Sequence, residues 1–399
     1  MIRLRSSIRS IFNRIRRLWW FVLRIPCLFL PSGKVPRKIL FVCQNALMAE
    51  HLASVWSLIR EDDRIQSSIF PIVSESDDRE EIHRAILHHL PFPKVCPAVA
   101  YTANWDLLIT ADRVDRYLLR PSRYPALRVQ HGVAFDRISK KDNYLLRDAG
   151  SRGIKGLLPY ARVFVSSERN LNTMVTSMPE LKGAVRVVGN LHDDRMLELN
   201  ERRSQVRRDL GWRENERIVY VMGHWGKDNL YRWMGLELIT RCQSLSEQYS
   251  WIFDVHPNEY RKGGFGLILQ SLSGKNNVIR SPHESWIPFM VACDACISDH
   301  TSHALHAMLL GKPVILASQS LRRVETGSIL HQLGSLFPNL NNDASNLKEC
   351  LTIAMNNPRT AELKTLSELI NSAPGQYRSR ARKEIYDLLN LAPLENAVS

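Results

Sequence analysis

The chain has 399 residues, 44% hydrophobic and 24% charged, which is too long for one ordinary core and suits two. Its formal net charge is +14, but ten of its 54 basic residues and none of its 40 acidic ones fall in the first 38 positions. The remainder is nearly neutral, 44 against 40, which disfavours a large nucleic-acid groove, and no nucleic-acid partner is expected.

From the start of the chain, Ile8, Ile11, Phe12, Ile15, Leu18, Trp19 and Val22 recur every three or four positions, with Arg9, Arg14, Arg16 and Arg17 between them. That is one apolar helix face beside a basic one. A spanning helix needs about 20 apolar residues, and the run from Leu18 to Leu30 is shorter and holds Arg24 and Pro26. No small-residue cleavage site follows it. Residues 1–34 therefore read as a segment lying on an anionic membrane surface, with Trp19 and Trp20 at headgroup level. The expected location is cytoplasmic and peripheral, on the inner face of the cell membrane. Seven cysteines at 27, 43, 96, 242, 293, 296 and 350 show no pairing pattern and fit a reducing compartment. Cys293 and Cys296 read as buried thiols, since no second close pair accompanies them.

Residues 35–200 read as a first Rossmann-like α/β domain. Predicted strands are Ile39–Cys43, Ile69–Val73, Leu107–Thr110, Leu127–Gln130, Val163–Val165 and Val185–Val188, with helices such as Arg79–His89 and Glu168–Ser177 between them. Residues 201–375 repeat the pattern with Ile218–Met222, Trp251–Val255, Val278–Ile279, Ala295–Ile297 and Val314–Leu316. Continuous apolar runs separated by helices predict parallel sheets covered on both faces. A basic helix from Gln376 to Leu389 opens the final segment, 376–399, and could cross back to the first domain.

Ligands of parallel sheets bind beyond the carboxyl ends of the strands. Those positions hold Gln130-His131-Gly132, Gly189-Asn190, Gly223-His224-Trp225 and His256-Pro257. No Gly-x-Gly-x-x-Gly or Walker loop is present, so standard dinucleotide and ATP sites are disfavoured. Ser298-Asp299-His300-Thr301-Ser302-His303 delivers hydroxyls to a helix start, where free N–H groups and the helix dipole favour an anion. Simple capping would need only one of these residues. His300, His303 and His306 lack a carboxylate at matching spacing, so no metal site is expected there. Glu284 precedes a further helix start.

In this order, these residues resemble the CDP-glycerol glycerophosphotransferase family of teichoic-acid and capsule synthesis. The matching motifs are Gln130-His131-Gly132, Gly189-Asn190-Leu191-His192-Asp193-Asp194, His256-Pro257, and Ile297-Ser298-Asp299-His300-Thr301-Ser302 followed by Gly311-Lys312-Pro313. The resemblance spans about residues 125–320 and implies a GT-B-like fold of two Rossmann-like domains. It implies His131 as general base, with His256, Ser298, Thr301 and Ser302 holding the donor diphosphate. Asp299 joins His131 in the expected catalytic set. Gly189, Asn190, His224, Trp225, Glu284 and His303 join the donor-binding set. The chain differs from the family where Val133-Ala134-Phe135-Asp136 follows His-Gly and where His300 stands in place of a Tyr. The expected reaction moves a glycerol-phosphate or similar phosphopolyol from a CDP-activated donor to a lipid-linked saccharide or polysaccharide acceptor. The nucleotide is a substrate, and no resident cofactor is expected. A GT-B glycosyltransferase using a nucleotide sugar is the alternative, followed by a nucleotide-sugar epimerase or a binding protein without catalysis.

Overall fold

The structure is a computed structural model that describes residues 36–44, 46–72, 79–111, 118–119, 123–130, 160–224, 229–256, 259, 277–281, 284–322 and 324–394. The amphipathic segment 1–34 lies outside the described residues. Among those described, no helix is long and apolar enough to cross a membrane.

The first sheet holds β1 (Arg37–Cys43), β2 (Ile65–Pro71), β3 (Leu107–Thr110), β4 (Ala126–Val129), β5 (Arg162–Val165) and β6 (Val185–Val187). Their order is β2-β1-β3-β4-β5-β6, and every pairing is parallel. The second sheet holds β7 (Ile218–Gly223), β8 (Ser250–Val255), β9 (Asn277–Ile279), β10 (Ala295–Ser298) and β11 (Val314–Leu316). Its order is β11-β10-β7-β8-β9, again parallel throughout. All residues of β3, β4, β8, β10 and β11 are buried. Apolar cover on both faces explains why these strands read as continuous apolar runs instead of alternating ones.

The first core is built from both ends of the described chain. Tyr377, Ala381, Ile385, Tyr386 and Leu389 of the Tyr377–Leu389 helix pack with Ile39, Phe41 and Leu52. Glu384 of this helix accepts from Arg162 Nε at 2.7 Å and from Arg186 Nε at 3.2 Å. The tyrosine hydroxyl of residue 386 donates to Asp62 Oδ2 at 2.9 Å.

The chain passes between the sheets through the turn at Gly189 and the Leu191–Asn200 helix. Gly189 has φ +88°, and a Cβ there would meet the Ala373 carbonyl oxygen at 2.6 Å, so the returning strand of chain and the backbone angle both demand glycine. Asn190 caps the helix, its side chain accepting from His192 N and Asp193 N. Asp193 is fully buried and faces both units: Oδ1 lies 2.5 Å from His306 Nδ1, and Oδ2 accepts from Asn371 Nδ2 at 2.9 Å. Asp194 accepts from the backbone N–H groups of Gly375 at 2.6 Å and Tyr377 at 3.0 Å. Replacing His306 with Phe strands the buried Asp193 carboxylate. A loss of about 3–5 kcal/mol in unfolding free energy is expected, read from denaturant titration.

Candidate functional site

The strand order of the second sheet reverses between β7 and β10, which opens a crevice beyond their carboxyl ends. At the end of β7, Gly223 lets the chain turn against the Tyr231 ring, which a Cβ would meet at 2.8 Å. His224 follows. Its backbone N–H donates to Asp299 Oδ2 at 2.9 Å, and its Nδ1 lies 3.1 Å from the same oxygen. Leu230 N donates to that oxygen as well, at 3.0 Å. Asp299, expected to be catalytic, is thus a fully buried brace that ties the end of β10 to the turn after β7.

His224, Asp299 and His300 offer ligand atoms within 4.8 Å of one another. The two imidazole rings lie 4.0 Å apart between centroids. Asp299 Oδ2 is already engaged by three N–H-bearing atoms, so a cation there would have to displace bonds that hold the turn.

Ser298 is also turned inward. It is fully buried, and its hydroxyl donates to the Met222 carbonyl at 3.3 Å. Thr301 occupies the N-cap position of the Ser302–Leu309 helix without making a side-chain capping bond, and Thr301, Ser302 and His303 are all partly exposed. The residues that could have capped this helix are therefore spent elsewhere or left uncommitted. Free first N–H groups and the positive end of a helix dipole favour an anion in general.

Beside this helix start stands a buried ion pair that sequence reading missed. Arg280 Nη2 lies 2.6 Å from Asp254 Oδ1, and Tyr220 donates its hydroxyl to Asp254 Oδ2 at 2.5 Å. Arg280 Nη1 also donates to the carbonyls of Ser281 and Glu284. The visible signal was Asp254 itself, a carboxylate inside the apolar run of β8. His256 leaves that strand two residues later, and His303, 28% exposed, approaches Asp254 to 4.0 Å. Trp286 stacks on His303 with centroids 4.6 Å apart and also contacts His306 and His192, bridging the two units. Glu284 is exposed; its carboxylate accepts from Ser281 N at 2.8 Å, closing its own turn at the rim.

Lys312, in the motif after the helix, is buried. Its Nζ donates to the Val291 carbonyl at 2.7 Å and also to the Cys293 carbonyl, so it closes the carboxyl end of the Ile287–Ala292 helix. Cys293 and Cys296 are fully buried with sulfurs 3.7 Å apart. Gly189 and Asn190, expected on the donor, line a cavity in the first unit. His131 and Trp225 lie outside the described residues; Gln130, which precedes His131, lines the same cavity. Across the turn, burial raises the pKa of Glu50, while Arg195 and Arg280 act in the opposite sense.

Two parallel-sheet α/β units joined in this way make the chain GT-B-like in fold. Wall teichoic acid polymerase TagF superposes with a TM-score of 0.62 at 13% identity, covering 96% of this chain and 97% of that one. A histidine-to-asparagine variant of TagF gives 0.64 at 12%, with the same coverage. The UDP-GlcNAc 2-epimerase of Neisseria meningitidis bound to UDP-GlcNAc gives 0.54 at 15%, covering 88% of this chain and 99% of that one. The S. aureus MnaA–UDP structure gives 0.56 at 13%, covering 89% and 98%. No protein-family model and no curated protein matches the chain. At these identities the shared property is the fold.

Three imidazoles, His192 buried and His256 and His303 partly buried, have depressed pKa values. Burial takes His192 from 6.5 to about 3, and His256 and His303 from 6.5 to about 4. An unfolded chain binds protons at these positions first as pH falls, so their stabilisation is complete above 6.5 and is lost on descent toward 4. The urea midpoint should fall steadily over that window, and His256→Asn should flatten the fall.

Proposed function

We propose that the chain is a transferase that takes a glycerol-phosphate or similar phosphopolyol group from a CDP-activated donor. It passes the group to a lipid-linked or polysaccharide acceptor in cell-envelope polymer synthesis. The observation that carries this reading is the uncapped start of the Ser302–Leu309 helix, set at the strand-order reversal beside His256 and His303. An anion cradle at that place suits a diphosphate, and neutral imidazoles serve there as hydrogen-bond donors. The likeness to TagF over both whole chains supports the reading, as does the fact that a TagF variant was soaked with CDPG. The motifs shared with the glycerophosphotransferase family point the same way.

In this mechanism the acceptor hydroxyl attacks the phosphorus that carries the polyol. The bond from that phosphorus to the bridging oxygen breaks, and the nucleoside monophosphate departs with the bond's electron pair. His131 accepts the hydroxyl proton, a role suited to imidazole near neutral pH. Backbone N–H groups at Thr301–His303, with the Thr301 and Ser302 hydroxyls, stabilise charge on the departing nucleotide. His256 and His303 shift toward protonation as the anion arrives. Asp299 and Ser298 hold the crevice walls from behind. The basic amphipathic segment 1–34 keeps the enzyme on the inner membrane face, near a lipid-linked acceptor.

The epimerase neighbour bound to UDP-GlcNAc keeps a nucleotide-sugar donor as the second reading, with the same cradle holding the diphosphate. Thermal-shift titration separates the two: stabilisation by CDP above UDP and GDP supports the first, and the reverse order supports the second. With the donor in hand, His131→Ala should cut turnover by roughly 10²–10⁴ while the nucleotide still stabilises the protein. Unchanged turnover removes the base assignment. The full chain should float with anionic liposomes, and deleting residues 1–33 should abolish flotation; equal flotation of both forms contradicts the membrane role.

A further inference from the structure

Where the Ile287–Ala292 helix runs into β10, two thiols converge beside one ammonium. Cys293 follows the helix, Cys296 lies in the strand, and their sulfurs stand 3.7 Å apart. Neither residue has exposed surface. The turn between them is held on all sides. Asp294 N donates to the Ile218 carbonyl at 2.7 Å, and its carboxylate pairs with Arg203 at 2.6 Å and Arg207 at 2.7 Å. The Cys293 carbonyl accepts from Arg203 Nη2 at 3.0 Å and from Lys312 Nζ. These bonds keep the two side chains pointed at each other.

The two thiols differ in their surroundings. Burial raises the pKa of Cys293, but the hydrogen bond with Cys296 and the charge of Lys312 outweigh it, and the thiol falls below its usual value. Burial raises Cys296 well above its usual value, and Cys293 adds to that rise. As a thiol, Cys293 donates to the Met290 carbonyl at 3.2 Å. Once deprotonated, it accepts from Cys296 instead. The thiolate is the form that attacks an oxidant, so an attacking sulfur and a second thiol are already placed side by side. Burial also selects the oxidant. A bulky disulfide meets no exposed sulfur, whereas local opening admits a molecule near the size of water.

We propose that Cys293 and Cys296 are a peroxide-sensitive pair, oxidised by hydrogen peroxide to a disulfide with Cys293 as nucleophile and Cys296 as resolving thiol. The Cys293 thiolate attacks one peroxide oxygen. The O–O bond breaks, hydroxide leaves with its electron pair, and a sulfenic acid remains on Cys293. The Cys296 sulfur then displaces that hydroxyl, its own proton leaves with the departing oxygen as water, and the S–S bond forms. Two thiols give up two electrons and two protons, and the peroxide becomes two waters. Closing the sulfurs from 3.7 Å to about 2.05 Å draws the start of β10 toward the end of the helix. A dithiol reverses the change, as suits a transient bond in a reducing compartment.

The test exposes the folded full chain to hydrogen peroxide, removes the oxidant with catalase and alkylates the protein on unfolding. In wild type, the tryptic peptide carrying both residues should lose two hydrogens and escape alkylation, and dithiothreitol should restore both thiols. Oxidised glutathione, offered to the folded protein, should modify exposed Cys96 and leave this pair untouched. Cys296→Ser removes the resolving thiol, so Cys293 should stop at the sulfenic acid and take up dimedone on unfolding. Cys293→Ser should slow thiol loss at Cys296 by about tenfold or more. The wild-type masses decide the matter even where a variant fails to fold. Both thiols still open to alkylation after peroxide has oxidised Cys96 would overturn the pair. Oxidation of Cys296 at the wild-type rate in Cys293→Ser overturns the assignment of the nucleophile. A glutathione adduct on either residue of the folded protein overturns the selection by burial. None of these readouts depends on the transferase reading.

Discussion

Two adjacent carboxylates hold the two sheets in register. Asp193 joins the Ser302–Leu309 helix, through His306, to the returning chain at Asn371, while Asp194 takes the N–H groups of Gly375 and Tyr377. Gly189 completes the joint because its missing side chain leaves room for the Ala373 carbonyl. Each of these contacts is local in energy and global in effect. The Ser302–Leu309 helix is bonded directly to the helix that follows the first sheet. A shift at one is therefore transmitted to the other through packed groups, since close-packed interiors do not deform continuously.

That joint brings together two environments of opposite character. On the second sheet, a helix start, partly exposed hydroxyls and the Asp254–Arg280 pair surround a place suited to concentrated negative charge. On the first sheet, the described lining of a small cavity carries imidazole, hydroxyl and amide groups from His51, His192, Ser54, Ser166, Tyr377, Gln130 and Asn190. Trp286 stands between them, stacked on His303 and within 6.0 Å of the His192 ring.

Much of the architecture was legible in the chain because buried parallel strands read as unbroken apolar runs. The runs at Ile39–Cys43, Ile218–Met222 and Trp251–Val255 fall on β1, β7 and β8. The same burial made the site harder to read. With both faces covered, side-chain alternation carries no label for inside and outside, so Ser298 and Asp299 looked as available as Thr301 and Ser302. In the fold, the first pair turns inward onto Met222 and His224, and the second stays at the cleft. Asp193 with His306, and Asp254 with Arg280, were not legible at all. Their partners are 113 and 26 positions apart, and no local pattern announces such pairs. Lys312 shows the converse: a basic residue beside a phosphate-type motif whose ammonium is consumed by helix-end carbonyls.

The central claim is that the start of the Ser302–Leu309 helix is a diphosphate cradle. A crystal structure of the chain with a nucleoside diphosphate tests it most directly. The account predicts phosphate oxygens within hydrogen-bond distance of the backbone N–H groups of Ser302 and His303, with the His256 ring alongside. A nucleotide bound with its phosphates elsewhere, and that helix start facing only solvent, would contradict it.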